Sequence, residues 1–154
     1  MNSTIEKPEA IKTFLQARSF ALIGVSRNEK KFSNNVFKEL IAKGWKIYPV
    51  NPAMETLGDY KCYPSLSSLP EPAEAVITMV SKDKTPGAVQ QAIDSGVKLI
   101  WIHQKTDTPD VIKLCADNNI TYITGECIMM FADPIGSFHK FHRWINKVIG
   151  KYPN

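Results

Sequence analysis

The sequence predicts an α/β chain, a Rossmann-like three-layer sandwich with a parallel sheet of five or six strands and helices on both faces. Three observations carry this expectation. Five short apolar runs, SFALIGV, WKIYPV, EAVITMV, KLIWI and ITYI, recur along the chain, and strands buried on both faces read as such runs rather than as polar–apolar alternation. Between them lie segments with apolar residues at helical spacing, and alternation of strand and helix implies a parallel sheet joined by right-handed crossovers. The first run also passes through a small-residue turn, Gly24-Val25-Ser26, and a basic loop into a helix start. Such a turn aims backbone N–H groups and the positive end of a helix dipole at one spot, which suits phosphate.

Each element has its own signal. Residues 8–17 carry Ile11, Phe14 and Leu15 at i, i+3 and i+4 behind an early Glu9, the pattern of a short amphipathic helix lying on the sheet. A strand over 19–25 leads to a helix over about 33–42, started by Ser33 and closed by Gly44, with Val36, Phe37, Leu40 and Ile41 on its buried face. The strand over 45–50 ends at Asn51-Pro52, where the proline stops the ladder and leaves the asparagine at the carboxyl edge. Residues 54–72, rich in Ser, Pro and Tyr, have no period and read as a long loop with room for one helical turn. A strand over 74–80, a helix from Thr85 or Pro86 to Ser95 closed by Gly96, a strand over 98–102, a helix over 109–118 capped by Thr108, and a short strand over 120–123 complete the series.

At 154 residues, 44% hydrophobic and 22% charged, the expectation is one domain over residues 1–154. Four of the 19 basic residues (Lys140, Arg143, Lys147, Lys151) and none of the 15 acids fall in residues 134–154. The other 15 basic residues balance the 15 acids, so the body has no charge stripe of the kind that nucleic acid requires. Three cysteines without a close pair, Cys62, Cys115 and Cys127, argue for a reduced compartment. A polar start and the lack of an apolar run near the roughly 18 residues of a membrane span fit a cytoplasmic protein.

In an open parallel sheet, ligands bind outside the carboxyl ends of the strands. Here those ends are residues 24–27, 51–52, 80–81, 103–104 and 125–127, and they form one crevice. A dinucleotide would require further glycines after Gly24 and an acid near the end of the second strand. The chain instead has Ser26 and Asn28, and Asn51 where the acid would stand. Arg27, Lys30 and Lys31 beside a helix start suit a phosphate-bearing ligand with additional negative charge.

These stretches resemble the stand-alone CoA-binding proteins related to the CoA-binding domain of the succinyl-CoA synthetase alpha subunit. The likeness lies in ALIGVSRNEKKFSNNVFKELIAKGWKIYPVNP, YPSLSSLP, AVITMVS, GVKLIWIHQ and GEC, in the family's order and spacing. It implies a Rossmann-like domain that binds coenzyme A or an acyl-CoA. By analogy Gly24, Val25, Ser26 and Arg27, with Lys31, Phe32, Ser33 and Asn35, surround the diphosphate. Asn51 and Pro52 lie near the adenosine, Val80 and Ser81 near the middle of the ligand, and Gln104 near the pantetheine arm. Many relatives have Gln-Pro-Gly or Gln-x-Gly where this chain reads Gln104-Lys105-Thr106, so the pantetheine end departs most from the pattern. The synthetase's phosphohistidine and nucleotide-using parts have no counterpart in these stretches, which implies a binder of a small nucleotide ligand rather than an enzyme.

Two other functions compete. The lysines near Asn51 could accept the 2′-phosphate of an NADP-type cofactor in an oxidoreductase or redox sensor. Residues 136–151, GSFHKFHRWINKVIGK, read as a basic amphipathic helix that could dock an acidic partner, although its aromatic residues fit packing on the sheet or on a second copy better. Cys127, close to the crevice, admits a mixed disulfide with CoA but reads first as a small buried hydrophobe. His103, His139 and His142 with Cys127 fall short of a metal ligand set, and no G-x-S-x-G elbow supports a hydrolase.

Overall fold

The computed structural model describes residues 6–131 and 143–145. Helix α1 (Lys7–Leu15) precedes strand β1 (Phe20–Ile23), helix α2 (Phe32–Ala42) and strand β2 (Ile47–Val50). A hairpin of β3 (Thr56–Leu57) and β4 (Tyr60–Lys61) and a single 3₁₀ turn at Leu66–Ser68 follow. The chain then alternates through β5 (Ala75–Thr78), α3 (Thr85–Asp94), β6 (Leu99–Ile102), α4 (Pro109–Asp117) and β7 (Thr121–Ile123), ending in a 3₁₀ turn at Ile128–Met130. The five long strands form one parallel sheet in the order β2-β1-β5-β6-β7. This is the expected Rossmann-like architecture with the lower of the two strand numbers.

The sheet separates two apolar layers. Ile11 and Phe14 of α1 and Val36, Phe37 and Leu40 of α2 pack with Phe20, Leu22, Ile77 and Trp101. Ala88, Val89 and Ala92 of α3 and Val111 and Cys115 of α4 pack with Ala21, Ile23, Val76, Ile100 and Ile102. Successive strand residues thus serve opposite faces, which is why the runs read as continuously apolar. A chain of rings runs through the first layer: Phe14 lies 5.4 Å from Phe20 and 5.2 Å from Trp101, and Trp101 lies 5.5 Å from Phe131. Most of residues 136–151 lie outside the described residues, but Arg143–Ile145 is helical. Trp144 meets Phe131 edge-on at 5.4 Å, and with Ile145 it packs against the first layer.

The stretch over 54–72, expected as a loop, contains the β3–β4 hairpin. Its strands are two residues each, too short for any alternation to register, and Gly58-Asp59 makes the two-residue turn with Gly58 at φ 59°. Tyr60 turns its ring edge onto Phe37 at 5.3 Å. Beyond the hairpin, Tyr63 guards the outer edge of β2: its N–H donates to the Pro49 carbonyl at 3.0 Å, and its carbonyl accepts from Asn51 N at 2.9 Å.

Two features set the shape of the carboxyl edge. Register aligns Ile23 with Val50 and Thr78, and Thr78 with Ile102, so the strands end level. Gly24 then turns away at φ 124°, and a Cβ there would lie 2.2 Å from the Met79 carbonyl oxygen and 3.2 Å from Val80 Cγ1. Only a residue without a side chain lets the two backbones approach this closely. The second feature is Asn34, in the first turn of α2 and only 1% exposed. Its Oδ1 accepts from Ser26 N at 2.8 Å, while its Nδ2 donates to Ser26 O at 2.6 Å and Asn28 O at 3.3 Å. One amide therefore clasps the β1–α2 loop from both sides.

Two substitutions check this construction. Gly24→Ala drives a Cβ into a backbone carbonyl and is expected to cost about 3 kcal/mol. In a chain of this size that lowers the thermal midpoint by roughly 9 °C, which differential scanning calorimetry reads directly. Asn34→Ala removes the partner of the part-buried N–H and carbonyl of Ser26, at about 1 to 2 kcal/mol. The amide of Ser26 should exchange markedly faster with solvent, whereas Asn35→Ala, one residue along and exposed, should stay within about 0.5 kcal/mol of the parent.

Candidate functional site

The sheet order puts the reversal of connection between β1 and β5: the chain leaves β1 toward β2 on one side, and β5 leads to β6 and β7 on the other. Loops diverge at such a point and leave a crevice above the strand ends. All the strand-end segments expected to contribute lie on this edge. Gly24 touches the Met79–Val80 backbone, Asn51 follows β2, Val80 and Ser81 follow β5, and His103 and Gln104 follow β6.

The expected phosphate cradle differs in detail from a loop of free N–H groups. Ser26 N donates to Asn34, Asn28 N to Ser26 Oγ at 3.1 Å, Lys30 N to Asn28 Oδ1 at 3.0 Å and Lys31 N to Asn28 O at 3.0 Å. The loop is thus hydrogen-bonded within itself. Helix α2 begins at Phe32 with Lys31 in the N-cap position, and the Lys31 side chain makes no capping bond. Ser33, expected as the cap, lies instead inside the first turn and is buried. The Phe32 and Ser33 N–H groups precede the first intrahelical bond and have no partner in the helix. No acid stands in the first turn, so the helix dipole is unopposed there.

Around this helix start stand exposed Arg27, Lys30 and Lys31, with Lys82, Lys84 and Lys105 on the next loops of the same edge. The Arg27 guanidinium donates to the Ala53 carbonyl, which draws it toward the end of β2. Val25 is 2% exposed and packs in the first apolar layer, so only its backbone faces the crevice region. That carbonyl accepts from Asn51 Nδ2 at 2.8 Å, and Asn51 Oδ1 accepts from Ala53 N at 2.8 Å. Asn51 therefore fastens the turn after β1 to the turn after β2, while Pro52 and Asn35 are exposed. The Ser81 carbonyl accepts from Lys84 N and from Thr85 N and Oγ1 at the start of α3. The Ser81 hydroxyl beside Asp83 holds that exposed carboxyl below its ordinary range.

At the far end, Gln104 Nε2 donates to the Gly125 carbonyl at 3.3 Å, tying the loop after β6 to the turn after β7. Lys105 takes a left-handed conformation at φ 67°, an unusual one for a lysine. His103 is half-buried, and desolvation pushes its imidazole below the ordinary histidine range, so the ring is neutral at pH 7. It lies 5.9 Å from the Phe32 ring, which is 46% exposed.

The cysteines divide as burial dictates. Cys62 and Cys115 are buried, and burial raises both thiols, Cys115 to about 11. Cys127 is half-buried, just ahead of the Ile128–Met130 turn. Among the described residues no three His, Cys, Asp or Glu side chains gather as a metal site; His139 and His142 lie outside the described residues. No described helix is long and apolar enough to cross a membrane.

Sequence reasoning missed Asn34 and the pairing of Phe32 with His103. Asn34 stands in the run KFSNN and reads as a surface residue of a helix start, so nothing local marks its burial. Phe32 and His103 are 71 positions apart.

Comparison with known proteins bears on the family and the fold. The model of the CoA binding domain matches residues 18–133, which include every strand of the parallel sheet. The alpha subunit of ADP-forming acetate–CoA ligase II from Pyrococcus furiosus is 34% identical over 90 residues, 58% of this chain and 20% of the ligase subunit. ADP-forming acetate–CoA ligase II from Archaeoglobus fulgidus is 31% identical over 90 residues, 57% of this chain and 13% of the ligase. The chain thus spans a fifth or less of these ligases. It covers far more of the Bacillus subtilis protein YneT, 88% of that chain and 77% of this one at 24% identity. Among solved structures, a protein from Pyrococcus horikoshii superposes with a TM-score of 0.73 at 26% identity, covering 92% of this chain and 93% of that one. On the match to residues 18–133, the chain belongs to the CoA-binding domain family.

Proposed function

We propose that the chain binds coenzyme A or an acyl-CoA at the carboxyl edge of its sheet, as a binding module without chemistry of its own. The observation that carries this reading is the start of α2: two N–H groups without partners in the helix, no acid in the first turn, and Arg27, Lys30 and Lys31 around it, at the reversal point of the sheet. A diphosphate is the ligand group that such a site suits. Gly24, Ser26 and the Val25 backbone form the turn beneath it, and Phe32, Ser33 and Asn35 the helix start. Asn51 and Pro52 stand at the adenosine end, Val80 and Ser81 midway, and Gln104 toward the pantetheine.

Family membership supports the identity of the ligand. The ligase relatives are named for joining acetate to CoA, and this chain corresponds to a fifth or less of them, so the shared property we propose is recognition of CoA rather than ligation. The missing acid at Asn51 disfavours an NAD-type ribose contact, which makes NADPH the informative competitor.

Isothermal titration with CoA, acetyl-CoA and NADPH tests the reading. Saturable binding of CoA or acetyl-CoA is expected, weakened at least tenfold, or about 1.4 kcal/mol, in an Arg27→Ala, Lys31→Ala double variant. Binding of NADPH with no response to CoA in either titration or thermal shift would refute it.

A further inference from the structure

We propose that Arg27 recognises a phosphate on the adenosine ribose, so that the site takes CoA in preference to the same molecule without its 3′-phosphate. This rests on the CoA reading above and names the part of the ligand that one side chain selects.

Arg27 belongs to the loop that leads into α2, but its guanidinium ends elsewhere. It donates to the carbonyl of Ala53, three residues beyond the end of β2. In open parallel sheets that bind nucleotides, the turn after the second strand is where the ribose is held. An acid there binds the free hydroxyls, and an arginine nearby accommodates a phosphate carried on them. Here Asn51 stands in place of the acid, and both of its polar atoms already hold backbone groups: Nδ2 donates to the Val25 carbonyl at 2.8 Å, and Oδ1 accepts from Ala53 N at 2.8 Å. Ala53 is thus bonded on both sides, its N–H to Asn51 and its carbonyl to Arg27, which sets the guanidinium beside this turn. Asn51, Pro52 and Ala53 offer a bare ribose hydroxyl no carboxylate.

The bond to Ala53 orients Arg27 without neutralising it, because a carbonyl carries no charge. A guanidinium has five N–H donors in a planar fork. The donors that Ala53 leaves free suit a phosphate, which the fork matches with two parallel bonds. Arg27 is exposed, as are Glu29 on its own loop and Glu55 beyond the turn, and neither acid is ion-paired with it among the described residues. The start of α2 keeps a separate set of groups for the diphosphate, namely the N–H groups of Phe32 and Ser33 with Lys30 and Lys31. Lys61, another cation near the end of β2, is drawn over the Tyr63 ring, 5.3 Å from its centroid. The two phosphate positions of CoA are therefore served by different side chains, and Arg27 serves the outer one.

Isothermal titration of the full chain with CoA and with dephospho-CoA tests the assignment, on the parent and on Arg27→Gln, Lys31→Gln and Lys61→Gln. The parent is expected to bind CoA about tenfold or more tightly than dephospho-CoA. In Arg27→Gln that ratio should fall to about threefold or less through loss of CoA affinity, with dephospho-CoA staying within about twofold of the parent. Lys31→Gln should weaken both ligands by a similar factor and leave the ratio in place. Equal binding of the two ligands by the parent refutes the assignment and leaves the CoA site standing, as does a ratio that survives Arg27→Gln or is lost instead in Lys61→Gln. Equal weakening of both ligands in Arg27→Gln puts the guanidinium on the diphosphate and refutes it too. The 2′-phosphate of NADPH presents the same chemistry from the adjacent ribose carbon. A preference for NADPH over NADH that Arg27→Gln removes, with CoA and dephospho-CoA bound alike, assigns Arg27 to that phosphate and refutes recognition of the 3′-phosphate. Binding of neither CoA nor dephospho-CoA overturns the CoA reading and this one together.

Discussion

The close approach of Gly24 to the backbone of Met79 is the constraint from which the carboxyl edge is built. A side chain at position 24 would meet a carbonyl oxygen at 2.2 Å, so the identity of this residue decides whether β1 and β5 can end side by side before their loops part. Everything beyond depends on that junction. Val25 drops into the apolar layer under α1 and α2, Ser26 emerges next to α2, and the loop that follows has one short path to the helix start. Because β1 and β5 lead in opposite directions across the sheet, the same junction marks the place where a crevice opens.

Two asparagines turn this path into a fixed surface. Asn34 takes both the N–H and the carbonyl of Ser26, and Asn51 takes the neighbouring Val25 carbonyl while its own oxygen holds Ala53 N. Consecutive backbone groups at the end of β1 are thus satisfied by side-chain amides from two different elements. Buried backbone groups left unpaired would be costly, and a loop satisfied in this way is ordered before any ligand arrives. The conformational cost of shaping the site falls on folding rather than on binding.

How much of this was legible in the sequence follows from the range of each signal. All five parallel strands sit within the apolar runs, trimmed by one or two residues where the ladder ends, because burial on both faces writes itself into consecutive residues. Helix α4 begins at Pro109 with Thr108 as cap, its Oγ1 accepting from Val111 N at 3.3 Å, since that signal is local. The β3–β4 hairpin escaped because two-residue strands carry no period, although Gly58-Asp59 was available as a turn signature. Ser33 was mistaken for the cap, since a serine at a helix start usually is one; here the polar residue that binds the loop is Asn34, one position on, and only the fold of the loop makes it buried. The contact of Phe32 with His103 has no local trace at all, because it exists only once β5 is threaded between β1 and β6.

The internal bonding of the β1–α2 loop also determines what remains to recognise an anion. Four N–H groups, those of Ser26, Asn28, Lys30 and Lys31, are consumed within the loop and its clasp. What is left is the pair of N–H groups at Phe32 and Ser33, whose direction the helix fixes, and a set of exposed cations on long, mobile stems. These act differently. The helix N–H groups offer short, directional bonds at one position, whereas the lysines and Arg27 supply attraction that is long-ranged, tolerant of geometry and screened by salt. In the proposed complex, position would come from the helix start and much of the attraction from the loops. The body of the chain is balanced in charge, so the cations on this edge do not belong to a globally basic surface. Arg27, Lys30 and Lys31 come together there because the β1–α2 loop is held against the start of α2, while Glu29, Asp83 and Asp107 stand among the cations on the loops after β1, β5 and β6.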